Sequence, residues 1–440
     1  MTQASKFIRW LLRGFAALVI IAIGAFIVWR VNLAHDVDTK LQAIRAAGLP
    51  TNGKELNNYY PAVPDNENAA LVMTQAFALM RNYPDSRSNE VASFEMPPHG
   101  QALTAKQKQL LSDYVEMNAA ALAKVNEASK LTESRYPVDF ISGVKTEFPH
   151  LAPLKKLARI AAFKGLLALN VGHLNDADIS IANILGIARL NEPDLISCLV
   201  RFSIIRRATT ALEHRLNAGG LKDAELIELG SAFTNSKKTN LLTRAEIGER
   251  AIGIPYFRKI GAESLGTTNE QPMFLKLSGF FERDLRFYLN AMETNIAIVC
   301  LPPPCNLGMG RNCDAEIAYE LKHHHYIFSA MFLPSISNAI MHEDECVAGL
   351  SSATTALAVE RFRLANGQLP ENLNELVPQF LSAVPSDPFD GQPLRYHRLA
   401  KGYVIYSIGR DGRDAGGREK PVGWRPGDTT TYDITFTVER

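Results

Sequence analysis

The hydrophobic positions of this chain first gather in one run near its start, from Trp10 to Trp29, and no charged residue follows Arg13 within that run. As a helix with a rise of 1.5 Å per residue the run is about 28 Å long, close to the roughly 30 Å of a bilayer's hydrocarbon core. A tryptophan stands at each end, where indole rings prefer the membrane–water boundary. The pattern predicts a single membrane-spanning helix.

The charges beside this run are asymmetric. Lys6, Arg9 and Arg13 precede its core, whereas Arg30 and Lys40 follow it beside Asp36 and Asp38. Because basic residues are retained on the cytoplasmic side, we expect the N-terminus in the cytoplasm. The bulk of the chain then lies in the periplasm, anchored to the inner membrane.

Two alternatives to a retained anchor are a cleaved signal peptide and a buried helix of a soluble protein. Ala34 is a suitable residue before a cleavage site, but Asn32 is a poor residue two positions earlier. We therefore expect the helix to be retained.

Beyond the anchor the apolar residues recur mainly at helical spacing. Three consecutive amphipathic segments lie between Leu151 and Asn217, and Gly172 separates the first from the second. This pattern predicts an antiparallel helical bundle. Further helices are predicted at Asp36–Ala47, Asn68–Arg81, Thr104–Lys130, Asp223–Phe233, Leu241–Ala251 and Ser278–Ile298, whereas the Pro/Cys/Gly stretch CLPPPCNLGMGRNC at 300–313 predicts a loop.

The pattern changes near residue 350. A helix with apolar positions ends at Asn366-Gly367, and two alternating segments, Leu394–Tyr396 and Tyr403–Tyr406, follow as predicted strands. A last alternating run, ITFTV, begins at Ile434. The predicted fold class is mainly α, with an N-terminal single-pass helix (1–35), a helical extracytoplasmic bundle (36–345) and a small C-terminal α+β module (346–440).

The C-terminal module resembles the globular part of the major pseudopilins of type II secretion systems, over about a fifth of the chain. The matching motifs, in order, are Glu360-Arg361-Phe362, Asn366-Gly367-Gln368-Leu369-Pro370, Leu376-Val377-Pro378, Asp387-Pro388-Phe389-Asp390-Gly391, Leu394-Arg395-Tyr396, Tyr406-Ser407-Ile408-Gly409 and Asp411-Gly412. The whole layout also resembles uncharacterised membrane-anchored proteins of Gram-negative bacteria.

The chain departs from the pseudopilin pattern at its start. Pseudopilins carry the membrane helix directly on this module, after a leader cut at a Gly-Phe type site with a glutamate a few residues on. Gly14-Phe15 follows a basic leader here, but Val19 occupies the position of the glutamate. We therefore expect a pseudopilin-like module within an anchored protein, not a pilus subunit.

The resemblance also implies a calcium site in the C-terminal loop, with Asp411, Asp414, Asp428 and Asp433 as the candidate ligands and with Asp411 and Asp433 close in space. Calcium prefers several hard oxygen ligands, which acidic residues on a glycine-rich loop supply. The alternative is a Gly/Asp turn held by side-chain-to-backbone hydrogen bonds, with Arg410 or Arg413 pairing with a carboxylate instead of an ion.

The composition limits the other functions. A net charge of +1 gives no general attraction to nucleic acid, so no nucleic-acid partner is expected. Among the five cysteines, Cys300, Cys305, Cys313 and Cys346 are expected to form at least one disulfide in an oxidising compartment, and Cys198 is expected to be a buried thiol.

Two classes of function follow. The first is a binding or scaffold protein of the cell envelope with a protein partner. The second is an extracytoplasmic metal-dependent hydrolase built on His323-His324-His325 together with His342 and neighbouring acidic residues. No HExxH or CxxC spacing supports a zinc site, and adjacent histidines point about 100° apart on a helix, so a surface histidine cluster is the expectation.

Overall fold

The computed structural model describes residues 3–237, 240–263, 278–421, 423–425 and 428–440. The described part is mainly helical, as predicted, with a small sheet near its C-terminus. The α-helices are α1 (Gln3–Ala46), α2 (Gly53–Tyr59), α3 (Ala69–Leu79), α4 (Arg87–Ser93), α5 (Ala105–Met117), α6 (Ala119–Ala128), α7 (Leu151–Asn170), α8 (Leu174–Ile187), α9 (Leu195–Ala218), α10 (Asp223–Ser236), α11 (Leu241–Glu263), α12 (Phe280–Val299), α13 (Cys305–His323), α14 (Ile327–Phe332) and α15 (Ile336–Asn366); the strands are β1 (Arg395–Arg398), β2 (Tyr403–Ser407) and β3 (Ile434–Val438). Short 3₁₀ helices lie at Asp65–Glu67, Phe140–Lys145 and Leu373–Leu376.

Helix α1 joins the predicted anchor to the helix predicted after it. No glycine or proline lies between Phe26 and Ala46 to end the helix, so one continuous helix runs from Gln3 to Ala46. Every residue from Phe7 to Trp29 is exposed. Among the described residues this is the one helix long and apolar enough to cross a membrane.

The C-terminal part of α1 packs into the body of the protein. Val37 and Leu41 are buried in a small apolar cluster with residues of α11 and α12, among them Phe257 and Tyr288. Arg30, just beyond the apolar run, pairs with Glu282 of α12 at 3.0 Å. The long apolar helix therefore continues into the folded body and packs against it.

The central bundle confirms the helices predicted between residues 151 and 217, which are α7, α8 and α9. Asp194 caps α9 by accepting a hydrogen bond from the Ser197 N–H at 2.8 Å. The helix predicted from Thr104 to Lys130 is interrupted at Asn118. The Asn118 side chain is buried and accepts the Arg81 N–H at 2.8 Å, a tertiary contact that the local apolar pattern does not reveal.

The predicted loop at 300–313 is wrong over most of its length, because α13 begins at Cys305. This also overturns the disulfide prediction, since all five cysteines are free thiols. Cys305 and Cys313 are eight residues apart on one helix, about 12 Å, which is too far for a disulfide. The Cys313 thiol instead donates to Asn295 Oδ1 at 3.6 Å.

Helix α15 is longer than predicted and crosses the predicted segment boundary at 345/346. The three strands are antiparallel in the order β1-β2-β3, with Tyr403 opposite both Arg398 and Val438. This confirms the predicted hairpin. Gly402, with a φ of 92°, makes the turn into β2, and a Cβ there would lie 1.7 Å from the Val438 carbonyl oxygen.

The sheet does not have a separate core. Tyr403, Ile405 and Phe436 belong to one continuous apolar cluster that also contains residues of α3, α7 and α9. The C-terminal strands are therefore packed as part of the helical body.

Candidate functional site

The outer edge of β3 is covered by side chains from the last turns of α9. Glu213 Oε1 accepts the Thr437 N–H at 2.7 Å. Asn217, one turn later, donates to the Thr437 carbonyl and accepts the Glu439 N–H, both at 2.8 Å. These two side chains lie on one helical face and satisfy the backbone groups of an edge strand. They fix the end of the chain against α9.

We call this contact between α9 and β3 the junction. His99, from the loop before α5, lies beside it, and we call His99, Glu213 and Glu419 the junction triad. Each offers a ligand atom, and these atoms lie within 4.8 Å of one another. His99 Nδ1 is 3.6 Å from Glu419 Oε1, and His99 Nε2 is 3.4 Å from Glu439 Oε2. The Thr437 hydroxyl donates to Glu419 Oε1 at 2.6 Å, so both glutamates of the triad are held by Thr437.

The electrostatics of the junction differ from those of an exposed surface. Burial, with a smaller contribution from repulsion by Glu419, raises the pKa of Glu213 to about 8. Burial and the neighbouring His99 lower the pKa of His214 to about 4, although a hydrogen bond with the Pro97 backbone opposes this. Both groups are therefore more neutral near pH 7 than the same side chains in water.

The junction triad lies in an open cleft of about 720 Å³, which we call the junction cleft. It is bounded by the loop before α5, by α9 and by the segment between β2 and β3. On one wall of the cleft, Lys420 Nζ lies 4.8 Å from the centre of the Trp424 ring, which is a cation–π contact. The indole ring adds an apolar surface beside the polar side chains of the junction triad. The cleft combines ionisable groups with aromatic and proline surface, as ligand sites commonly do.

The chemistry of the triad suits a metal ion. An imidazole nitrogen with two carboxylate oxygens is a ligand set that zinc, iron and manganese accept. Within the described ranges, it is the one group of three His, Cys, Asp or Glu side chains with this geometry. Sequence reasoning missed it because the three residues lie in separate segments with no characteristic spacing.

The aspartates predicted to bind calcium each take part in local hydrogen bonds. Asp433 is buried and accepts the N–H groups of Ala415, at 3.2 Å, and Gly417, at 2.7 Å. Burial raises the pKa of Asp433, and those backbone hydrogen bonds partly oppose it. Asp414 accepts the Gly416 N–H at 2.8 Å, and its other oxygen is 3.3 Å from Arg395 Nε.

The other two aspartates close exposed turns. Asp411 accepts the Arg413 N–H at 3.1 Å, and Asp428 accepts the Arg425 N–H at 2.8 Å. Arg410 pairs with Glu345 rather than with one of the four aspartates. Calcium binding by Asp411, Asp414, Asp428 and Asp433 stays a prediction.

The predicted histidine centre is not assembled among the described residues. His323, His324 and His325 are exposed at the end of α13, and a ring nitrogen of His323 lies 2.7 Å from the Tyr319 carbonyl oxygen. His342 lies on α15 and its Nδ1 is 3.4 Å from Glu345 Oε2. These histidines form no group of three metal ligands.

Comparisons of the chain with protein-family models, with curated proteins and with solved structures found no match.

Proposed function

We propose that this chain is a single-pass inner-membrane protein that holds its helical body in the periplasm and binds a ligand or partner of the cell envelope in the junction cleft. Two features support the anchored arrangement. Every residue from Phe7 to Trp29 is exposed, which suits contact with lipid. Lys6, Arg9 and Arg13 precede the uncharged part of the run, whereas Arg30 and Lys40 follow it beside Asp36 and Asp38, so the net positive charge lies on the N-terminal side, as the positive-inside rule favours for a cytoplasmic N-terminus.

The observation that carries the binding role is the construction of the junction cleft. Loop, helix and strand residues that are far apart in the chain line this cleft. Hydrogen bonds join Glu213 and Asn217 of α9 to Thr437 of β3 beside it. The hydrogen bonds between α9 and β3 hold this side of the cleft in place without a ligand, which lowers the entropy lost on binding.

The topology is tested with reporter fusions after Arg440. A periplasmic C-terminus makes an alkaline phosphatase fusion active and a cytoplasmic fluorescent reporter inactive. A matched fusion after Arg9, before the apolar run, should give the reverse result. An inactive phosphatase and a fluorescent cytoplasmic reporter after Arg440 would place the body in the cytoplasm and contradict the proposal.

The binding role is tested by photo-crosslinking in intact cells. A benzoylphenylalanine introduced at Trp424, on the wall of the junction cleft, should give a discrete adduct. The matched control is the same residue at Ile227, which is 45 % exposed on α10 outside the cleft. Equal adducts at both positions, or none at Trp424, would count against a cleft-specific ligand.

A second candidate, a metal-dependent hydrolase, is favoured by the junction triad and not by the predicted histidines. Catalytic zinc sites combine three protein ligands with an open position for water or substrate. The triad offers three ligands within an open cleft. A metal-dependent hydrolase is active only with its ion bound, so the experiment for this candidate begins with metal binding to the junction triad.

A further inference from the structure

We infer that the junction triad, His99, Glu213 and Glu419, binds one divalent transition-metal ion, with zinc or manganese as the ions that its donor set suits. The inference rests on the proposed function, since it names the first ligand of the junction cleft. It is carried by the position of the three donors.

The separations fit a site that closes around an ion. Donors held at about 2.1 Å from one ion lie roughly 3.0–3.5 Å from each other. His99 Nδ1 and Glu419 Oε1 are already 3.6 Å apart, and all three donors lie within 4.8 Å. The Glu419 side chain is 43 % exposed, so it has room for the small rotation that brings the three atoms together.

The surrounding contacts resemble the support of a metal ligand. A histidine that binds metal through one ring nitrogen usually donates its other N–H to a carboxylate or carbonyl, which fixes its tautomer. His99 directs Nδ1 to Glu419 and Nε2 to Glu439, 3.4 Å away. Glu213 and Glu419 are in turn oriented by the Thr437 N–H and hydroxyl.

The negative charge of the carboxylates at the junction also favours the binding of a cation. The carboxylates of Glu419 and Glu439 lie 3.6 Å and 3.4 Å from the single imidazole of His99, and the Glu213 carboxyl group lies within 4.8 Å of it. Lys420 lies against Trp424, and Arg440 pairs with Glu360 on α15. A divalent ion would offset the repulsion between carboxylates that are partly removed from water.

The competing explanation uses no metal. A protonated His99 would form ion pairs with Glu419 and Glu439 at the distances seen. The two explanations differ in one measurable respect, because only the first gives saturable binding of a metal at one equivalent that depends on all three residues.

The test is calorimetric titration of ZnCl₂, and separately MnCl₂, into the metal-depleted full chain in detergent. His323→Gln, His324→Gln and His325→Gln are combined in every sample, so that any zinc taken up by this exposed run does not add to the titration. We expect one equivalent of at least one of the two ions. Glu419→Gln and His99→Gln should each weaken binding more than tenfold, and Glu439→Gln about tenfold, as losses of supporting carboxylates do.

The matched controls are His173→Gln and Glu228→Gln, which remove an exposed histidine and an exposed glutamate elsewhere and should leave the affinity unchanged. Circular dichroism confirms that each variant is folded. Cobalt supplies a second measurement, since its visible absorption on binding should disappear in His99→Gln.

No binding of either ion, or binding that Glu419→Gln and His99→Gln leave unchanged, would overturn the inference and leave the ion-pair explanation. Cleft-specific crosslinking at Trp424 without metal binding would remove the metal site alone and leave the proposed binding function in place.

Discussion

The Tyr403 hydroxyl donates a hydrogen bond to Glu360 Oε1 at 3.0 Å and thereby joins the central strand to the long helix α15. Both side chains are buried. Burial raises the pKa of Glu360, while the neighbouring Arg363 and this hydrogen bond lower it. The sheet is thus held to the helical body by a polar contact within the apolar core.

Tyr403→Phe should destabilise the full chain by about 1–2 kcal/mol, because a buried hydrogen bond to a charged acceptor is lost without loss of ring packing. Denaturant unfolding in detergent measures the change. The control is Tyr319→Phe, since Tyr319 is 60 % exposed and its substitution should stay within about 0.5 kcal/mol. Equal effects of the two substitutions would show that the Tyr403–Glu360 contact contributes nothing.

Asp178→Asn should destabilise the chain by about 3 kcal/mol, the cost typical of leaving one member of a buried ion pair without its partner. Arg215, whose side chain is 1 % exposed, donates to Asp178 Oδ1 at 2.7 Å. Asp176→Asn, two residues away on the same helix but half exposed, is the matched control and should have little effect. Thermal unfolding measures the melting temperature of each variant, and similar melting temperatures for Asp178→Asn and Asp176→Asn would contradict the prediction.

Leu41→Ala should destabilise the body by about 2–4 kcal/mol, because Leu41 is 2 % exposed within the apolar cluster of α1, α11 and α12. Leu18→Ala removes the same atoms from the same helix where the residue is 66 % exposed, and should leave stability in detergent unchanged. The comparison tests whether α1 continues as one element into the body. No loss for Leu41→Ala would mean that its C-terminal part does not pack there.

The buried Glu246 should make the protein less stable as the pH rises. Burial, with repulsion from Glu249, raises its pKa to about 8, against an ordinary value of 4.5. Between these two values the folded state binds a proton that the unfolded state releases, so the stability from this group is lost as the pH rises through about 8. Glu246→Gln should therefore gain stability relative to the parent chain between pH 5 and pH 8.5.

Denaturant unfolding at several pH values measures that difference. Glu228→Gln, on the exposed face of α10, is the control and should track the parent at every pH. A constant difference between Glu246→Gln and the parent would show that Glu246 has the same pKa in the folded and unfolded states.

The cysteines should behave as five free thiols. Maleimide treatment of the folded chain should label Cys300 and Cys305, which are exposed, and leave Cys198, Cys313 and Cys346 unlabelled because they are buried. Unfolding without reductant should then give five labels by intact mass. Three labels after unfolding would reveal one disulfide, as the sequence predicted.

Local patterns determined much of this protein. The run from Trp10 to Trp29 is so apolar that its helix follows from the sequence alone, as do the three helices between residues 151 and 217. The hairpin around Gly402 was likewise predictable, since alternation and a turn residue are local signals. The helix beginning at Cys305 was missed because its glycines and flanking prolines are typical of a loop, although its Leu307 and Cys313 pack against α15 residues such as Ile340.

Only the tertiary structure decided which side chains come together as a candidate metal site. The resemblance to pseudopilins grouped Asp411, Asp414, Asp428 and Asp433 as calcium ligands, and each of them accepts a hydrogen bond from a backbone N–H. His99, Glu213 and Glu419 carry no such signal, because they come from distant segments that lie together where β3 packs on the last turns of α9. Helical and strand periodicity depend on neighbours a few residues apart, whereas this site depends on contacts between segments more than a hundred residues apart. The sequence by itself therefore determined the long apolar N-terminal helix and the helices of the bundle, and the packing of the C-terminal strand determined the candidate site.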